Sequence, residues 1–158
     1  MPAELSFASA SPQLAPQIAP LVGELLAEIM QAIGVQAFNF DLAQTTARLQ
    51  DFLARGQYVV FVAQDGAQPV GFIALTESHA LYAEGVFGTI PELYVRPGYR
   101  STGVGRQLLD EAKAFGRSRG WTRLEVTTPP LPQFDQTLAF YEREAFAITG
   151  GRKLKTVL

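Results

Sequence analysis

The sequence predicts an α/β fold with a mixed sheet, on three observations. Apolar residues recur at helical spacing in some stretches and as short continuous or alternating runs in others. The resulting order reads β-α-α-β-β-β-α-β-α-β, which suits helices packed on a sheet. Finally, a strand near residue 90 runs through a glycine-containing turn directly into a helix whose apolar residues share one face. With 158 residues, 47% of them hydrophobic and 18% charged, the chain is long enough to bury one core, and a single domain over 1–158 is expected.

Leu5 to Ala8 reads as a first strand. Ser11-Pro12 is a helix entry, but Pro16 and Pro20 interrupt the next turns, so the helix is placed at Leu21 to Ile33, ending near Gly34. Asp41 followed by Gln44 resembles a capping box, and Leu42, Leu49, Phe52 and Leu53 form the stripe of a second helix ending at Gly56. Tyr58 to Ala63 and Val70 to Thr76 flank Gln64-Asp65-Gly66 as a hairpin. Gly88 to Val95 is a strand in which Pro91 signals an edge or a bulge. Val104 to Arg119 is a helix with Val104, Leu108, Leu109, Ala112 and Phe115 on one face. Arg123 to Thr128 is a strand, Phe134 to Glu144 a short helix, and Arg152 to Leu158 a last strand.

Composition excludes several chemistries. There is no cysteine, hence no disulfide scaffold, no thiolate metal site and no cysteine nucleophile, and a single histidine, His79, argues against a histidine metal centre. No targeting signal or membrane span is read, so a soluble cytoplasmic protein without nucleic-acid or membrane partners is expected. The net charge of −2 conceals an asymmetry. Residues 1–90 hold 8 acids against Arg48 and Arg55, while residues 91–158 hold 11 bases against 7 acids. An acidic and a basic half can serve a cation and an anion together.

The informative stretch runs from Glu92 to Leu109. A turn entering a helix offers free amides and the positive end of the dipole to an anion, and Gly103 and Gly105 admit close approach. Between Glu92 and Asp110 the charged residues are Arg96, Arg100 and Arg106. A dinucleotide loop would need glycine where Leu108 stands, and a triphosphate loop would need a lysine that is missing. The pattern R-x-x-G-x-G at Arg100, Gly103 and Gly105 follows the strand Glu92-Leu93-Tyr94-Val95 and precedes a Leu-Leu helix, and Phe140-Tyr141-Glu142-Arg143-Glu144-Ala145-Phe146 comes later. Together these resemble the GCN5-related N-acetyltransferase (GNAT) superfamily, closely over Thr89 to Phe146. Phe134, where many members carry asparagine, and Ala145, where glycine is usual, depart from its pattern.

The resemblance implies a mostly antiparallel mixed sheet flanked by helices, with a splayed central strand pair, and acetyl-CoA as cosubstrate without a metal. It implies that the backbone around Leu93, Tyr94 and Val95 pairs with the pantetheine arm, and that the Leu93 amide polarises the thioester carbonyl. Arg100, Ser101, Thr102, Gly103, Val104, Gly105 and Arg106 would hold the pyrophosphate. Spacing alone makes Tyr141 a core aromatic, while the resemblance makes it the acid that protonates the departing thiolate. Glu92, a carboxylate in an otherwise apolar strand, is the candidate base, with a structural glutamate as the alternative. On the acceptor side the resemblance points to Glu24, Glu28, Asp41, Glu77 and Glu84 with Phe38, Phe40 and Tyr82, a set suited to a small cationic amine. Dimerisation, common in that superfamily, is left open. An acyl-CoA-binding sensor without catalysis, a longer acyl group, and a peptide or protein amine as acceptor stand as alternatives.

Overall fold

Strands β2 (Val59–Asp65) and β3 (Gln68–Ala80) form the hairpin on which the fold is assembled, and they alternate side chains between two helical layers. In this computed structural model, which describes residues 4–158, β1 (Leu5–Ser9) pairs antiparallel with β2. The C-terminal half of β3 pairs with β4 (Gly85–Ile90), its N-terminal half with β5 (Leu93–Val95), and β6 (Leu124–Val126) pairs parallel to β4. The path β1-β2-β3-β4-β6 is therefore a mixed, mostly antiparallel sheet with β5 on β3.

Helices α1 (Ala15–Ile33) and α2 (Leu42–Ala54) cover one face. Ile18, Leu21 and Leu49 pack there with Val60, Val62, Phe72, Ala74 and Tyr94. Helix α3 (Val104–Ser118) covers the other, burying Leu108, Leu109 and Ala112, with Phe115 edge-on to Phe61 at 6.0 Å. Asp41 caps α2 as its spacing predicts, its carboxylate accepting from the Gln44 amide at 2.8 Å.

Two elements differ from expectation. Helix α1 begins at Ala15 rather than Leu21 and contains Pro20. Pro16 falls in the first turn, where its missing N–H would have no partner. Pro20 removes only the bond to the exposed Pro16 carbonyl, while Ile18, Ala19 and Leu21 are wholly buried and hold the turn in place. At the other end, Arg152–Leu158 forms no strand. Its alternation is strand-like, but no ladder takes up its backbone groups, and Leu154 and Val157 stand exposed.

By internal packing the chain divides into a unit running to Thr127 and a second, Thr128–Leu158. The second unit carries the cis Leu131-Pro132 bond and helix α4 (Asp135–Arg143), with Tyr141 buried between Phe140 and Phe146 at ring separations of 5.3 and 5.2 Å.

Candidate active site

The strand predicted as Gly88 to Val95 is broken. Thr76 lies opposite Thr89 and Ile73 opposite Leu93, so three steps along β3 match four on its partner. This one-residue bulge falls at Pro91 and Glu92, between β4 and β5. The Ala74 amide donates to the Glu92 carbonyl and the Arg96 amide to the Val70 carbonyl, both at 2.9 Å. By the alternation of an antiparallel ladder, Tyr94 faces β3 with its backbone groups, whereas the N–H and C=O of Leu93 and Val95 point to the opposite side. Strand β6 ends at Val126, level with Ile90, so no strand meets that side of β5 among the described residues. This is the splay.

Beyond the splay the chain makes a 3₁₀ turn at Pro97–Tyr99 and enters α3. Ser101 (φ 61°) and Gly103 (φ 89°) have positive φ, the kind of backbone from which anion-binding turns of successive amides are built. Gly103 adopts that conformation at little cost because it has no Cβ. The first helical bond runs from the Gln107 amide to the Gly103 carbonyl, so Val104 and Gly105 lie in the turn whose amides α3 itself does not use. Thr102 is fixed by its hydroxyl to the Tyr99 carbonyl, and Arg106 is exposed on the first turn. Outward strand amides followed by a helix N-terminus fit an extended, polyanionic thiol carrier.

Two arginines of this segment are not free for such a ligand. Arg96 forks onto Glu24 (Nε to Oε1 3.1 Å, Nη2 to Oε2 2.8 Å), and Tyr94 donates to the same carboxylate at 3.2 Å. Arg100 forks onto Glu28 (2.8 and 2.7 Å) and donates from Nε to the Val95 carbonyl at 2.8 Å. Glu28, expected to meet the acceptor, therefore serves Arg100, which is expected to meet pyrophosphate.

Glu92 is half-buried on the α1–α2 face, where the Tyr58 hydroxyl donates to both of its oxygens at 3.0 and 3.1 Å. Burial raises the Glu92 carboxyl above the usual range, and the Tyr58 hydrogen bond pulls the other way. Burial and the neighbouring carboxylate both keep the Tyr58 phenol protonated. Nothing local in the sequence links Tyr58 to the site, since it lies 34 residues from Glu92. Its parity with Val60 and Val62, which share the α1–α2 face, is the signal that could find it.

The remaining acceptor-side residues are dispersed. Glu77 accepts from Trp121 Nε1 at 2.8 Å and Arg119 at 3.4 Å, and the indole N–H holds its carboxyl low. Tyr82 and Glu84 sit on the exposed β3–β4 turn, and the Arg123 guanidinium already lies over the Tyr82 ring at 5.1 Å, which occupies one face expected to meet a cation. Phe38, in the α1–α2 connection, is partly exposed. Past Glu92 the same sheet face carries Thr76 and Thr89, with Ser78 and Thr89 hydroxyls bonded at 3.1 Å. Burial raises the Tyr141 phenol too, so it holds its proton. Among the described residues no three potential metal ligands gather, and no helix is long and apolar enough to cross a membrane.

The chain is 31% identical over 83 residues to peptidyl-lysine N-acetyltransferase YjaB of Escherichia coli (strain K12), covering 52% of this chain and 45% of that protein, about half its length. Its fold matches an aminoglycoside acetyltransferase from an uncultured soil metagenomic sample, solved with trehalose, with a TM-score of 0.73 at 20% identity over 98% of this chain and 96% of that one. A predicted acetyltransferase from Clostridium acetobutylicum, solved with acetyl-CoA, matches with a TM-score of 0.78 at 16% identity, over 97% and 96% of the two chains. The sequence model of the acetyltransferase (GNAT) domain matches residues 56–148, which include the hairpin, the bulge, the turn and Tyr141. The chain belongs to the GNAT acetyltransferase family.

Proposed function

We propose that residues 1–158 act as one acetyltransferase domain that moves an acetyl group from acetyl-CoA directly to a primary amine. The observation that carries this reading is the open side of β5, where Leu93 and Val95 direct backbone groups away from β3, continuous with the turn before α3. Leu93, Tyr94 and Val95 would bind the pantetheine arm, and the backbone from Arg100 to Arg106 the pyrophosphate. Acetyl-CoA supplies the activated thioester. Glu92 accepts the proton of the incoming ammonium, directly or through water, so that the amine can attack. The Leu93 N–H donates to the carbonyl oxygen as negative charge builds on it. Tyr141, kept protonated by burial, gives its proton to the thiolate that leaves, and the second proton released by the acylated nitrogen, relayed through solvent, restores the phenol.

The acceptor we propose is a lysine side chain in a peptide, rather than the free small cationic amine suggested by the acidic N-terminal half. Glu24, Glu28, Asp41 and Glu77 are each engaged by the chain's own donors. The sheet face that continues past Glu92 carries the neutral hydroxyls of Thr76, Ser78 and Thr89, and Phe38, Tyr82 and Glu84 would extend the acceptor surface. The name of the curated relative supports the same class.

The test is thiol release from acetyl-CoA with a lysine peptide, a polyamine and an aminoglycoside. The lysine peptide should give the highest kcat/KM, and dimethylating its ε-amine should abolish release. Preference for the polyamine or the aminoglycoside would restore the free small-molecule acceptor. Thermal stabilisation by CoA with no turnover on any amine would make the chain a binding module. Tyr141→Phe should slow turnover while leaving acetyl-CoA binding intact.

A further inference from the structure

We propose that Glu28 and Arg100 act as a strap that sets affinity for acetyl-CoA, with Glu28 a positioning residue for the carrier and not a contact for the acceptor. This rests on the reading that acetyl-CoA lies along β5 and the α3 turn.

Three parts of the fold meet in one guanidinium. Arg100 opens the turn, its Nη1 and Nη2 engage both oxygens of Glu28 on α1, and its Nε holds the carbonyl of Val95 on the open strand. The cation also lies over the Tyr94 ring, 5.5 Å from its centroid. The two side chains are each more than a third exposed, so their Coulomb attraction by itself contributes little. What the pair supplies is geometry, because a fork locked onto a carboxylate fixes the third donor. That donor orients the Val95 peptide while occupying one of the two lone pairs of its carbonyl. The second lone pair stays available to a ligand amide along the open side.

The next residue, Ser101, is held in left-handed backbone, so the strap also fixes the entry to the amide-lined turn. Glu24 lies one helical turn before Glu28 and binds the side chains of Arg96 and Tyr94, neither of which bonds the Val95 carbonyl. It serves as the comparison.

The experiment uses the full chain and reads the Kd of acetyl-CoA by calorimetry, with KM for both substrates. Glu28→Gln should raise Kd and KM for acetyl-CoA about tenfold, the loss of one good charge-assisted contact, and leave the acceptor KM unchanged. Arg100→Lys keeps the charge but not the fork, and should do the same. The double variant should be no worse than the poorer single, since the two act as one unit. Glu24→Gln, with a similar effect on melting temperature, should leave the acetyl-CoA Kd in place. If Glu28→Gln raises the acceptor KM alone, or moves neither constant, the strap is overturned. Failure of the unaltered chain to bind acetyl-CoA would instead overturn the reading of function beneath it.

Discussion

Tyr58 adjusts Glu92 from 34 residues away, and the sign of that adjustment is fixed by its direction. The base role proposed for Glu92 requires the ionised form, and burial raises its pKa, so activity should climb at higher pH than an ordinary glutamate allows. A hydrogen bond donated to the carboxylate favours the ionised form and opposes the shift. Tyr58→Phe removes that opposition. The acidic limb of the kcat/KM profile should therefore move to higher pH, with the rate lost near neutrality recovered as pH rises. Glu92→Gln should remove the limb and lower kcat by about 10²-fold, the usual scale for a lost general base. A Tyr58→Phe profile that superimposes on the original would remove Tyr58 from the chemistry.

At the scale of elements, the break between β4 and β5 is held from the side of the sheet opposite Glu92. Gly88 pairs with Leu124 on β6, and its amide donates to the Arg123 carbonyl at 2.9 Å. A Cβ there would lie 2.3 Å from the Trp121 ring, which is itself fixed by Glu77 and by Phe115 at 5.3 Å. Gly88→Ala should destabilise the protein by about 1–3 kcal/mol, seen as a fall in melting temperature, because no flexible tip can yield. Gly98→Ala, with nothing within 4 Å, should leave that temperature unchanged. These elements also show what local sequence can carry. The Asp41 cap, the hairpin around Asp65-Gly66 and the stripe of α3 depend on near neighbours and are legible in the chain. So is Pro91 as a signal of a bulge. The ion pairs of Glu24 and Glu28 with the loop arginines join residues 72 apart and leave no local trace. The strand expected at Arg152–Leu158 fails for the converse reason, since alternation supplies a pattern but not a partner ladder.

Across the whole molecule, those same pairs change the meaning of the charge asymmetry. Residues 1–90 and 91–158 carry opposite net charge, which on the sequence alone suggests separate fields for a cationic acceptor and an anionic carrier. Glu24–Arg96, Glu28–Arg100 and Glu77–Arg119 each join an acid of the first half to a base of the second. Matched at contact distance, such charges cancel within a few ångströms and project little field beyond a Debye length. A polycation steered by an acidic surface would lose kcat/KM steeply with salt, whereas a lone lysine guided by a neutral, hydroxyl-lined face would not. For the lysine peptide, kcat/KM at saturating acetyl-CoA should change by less than about threefold between about 50 and 500 mM salt. A loss of an order of magnitude or more over that range would mean that exposed acids such as Glu84 dominate acceptor capture, and the peptide-lysine assignment would give way to a small polyamine.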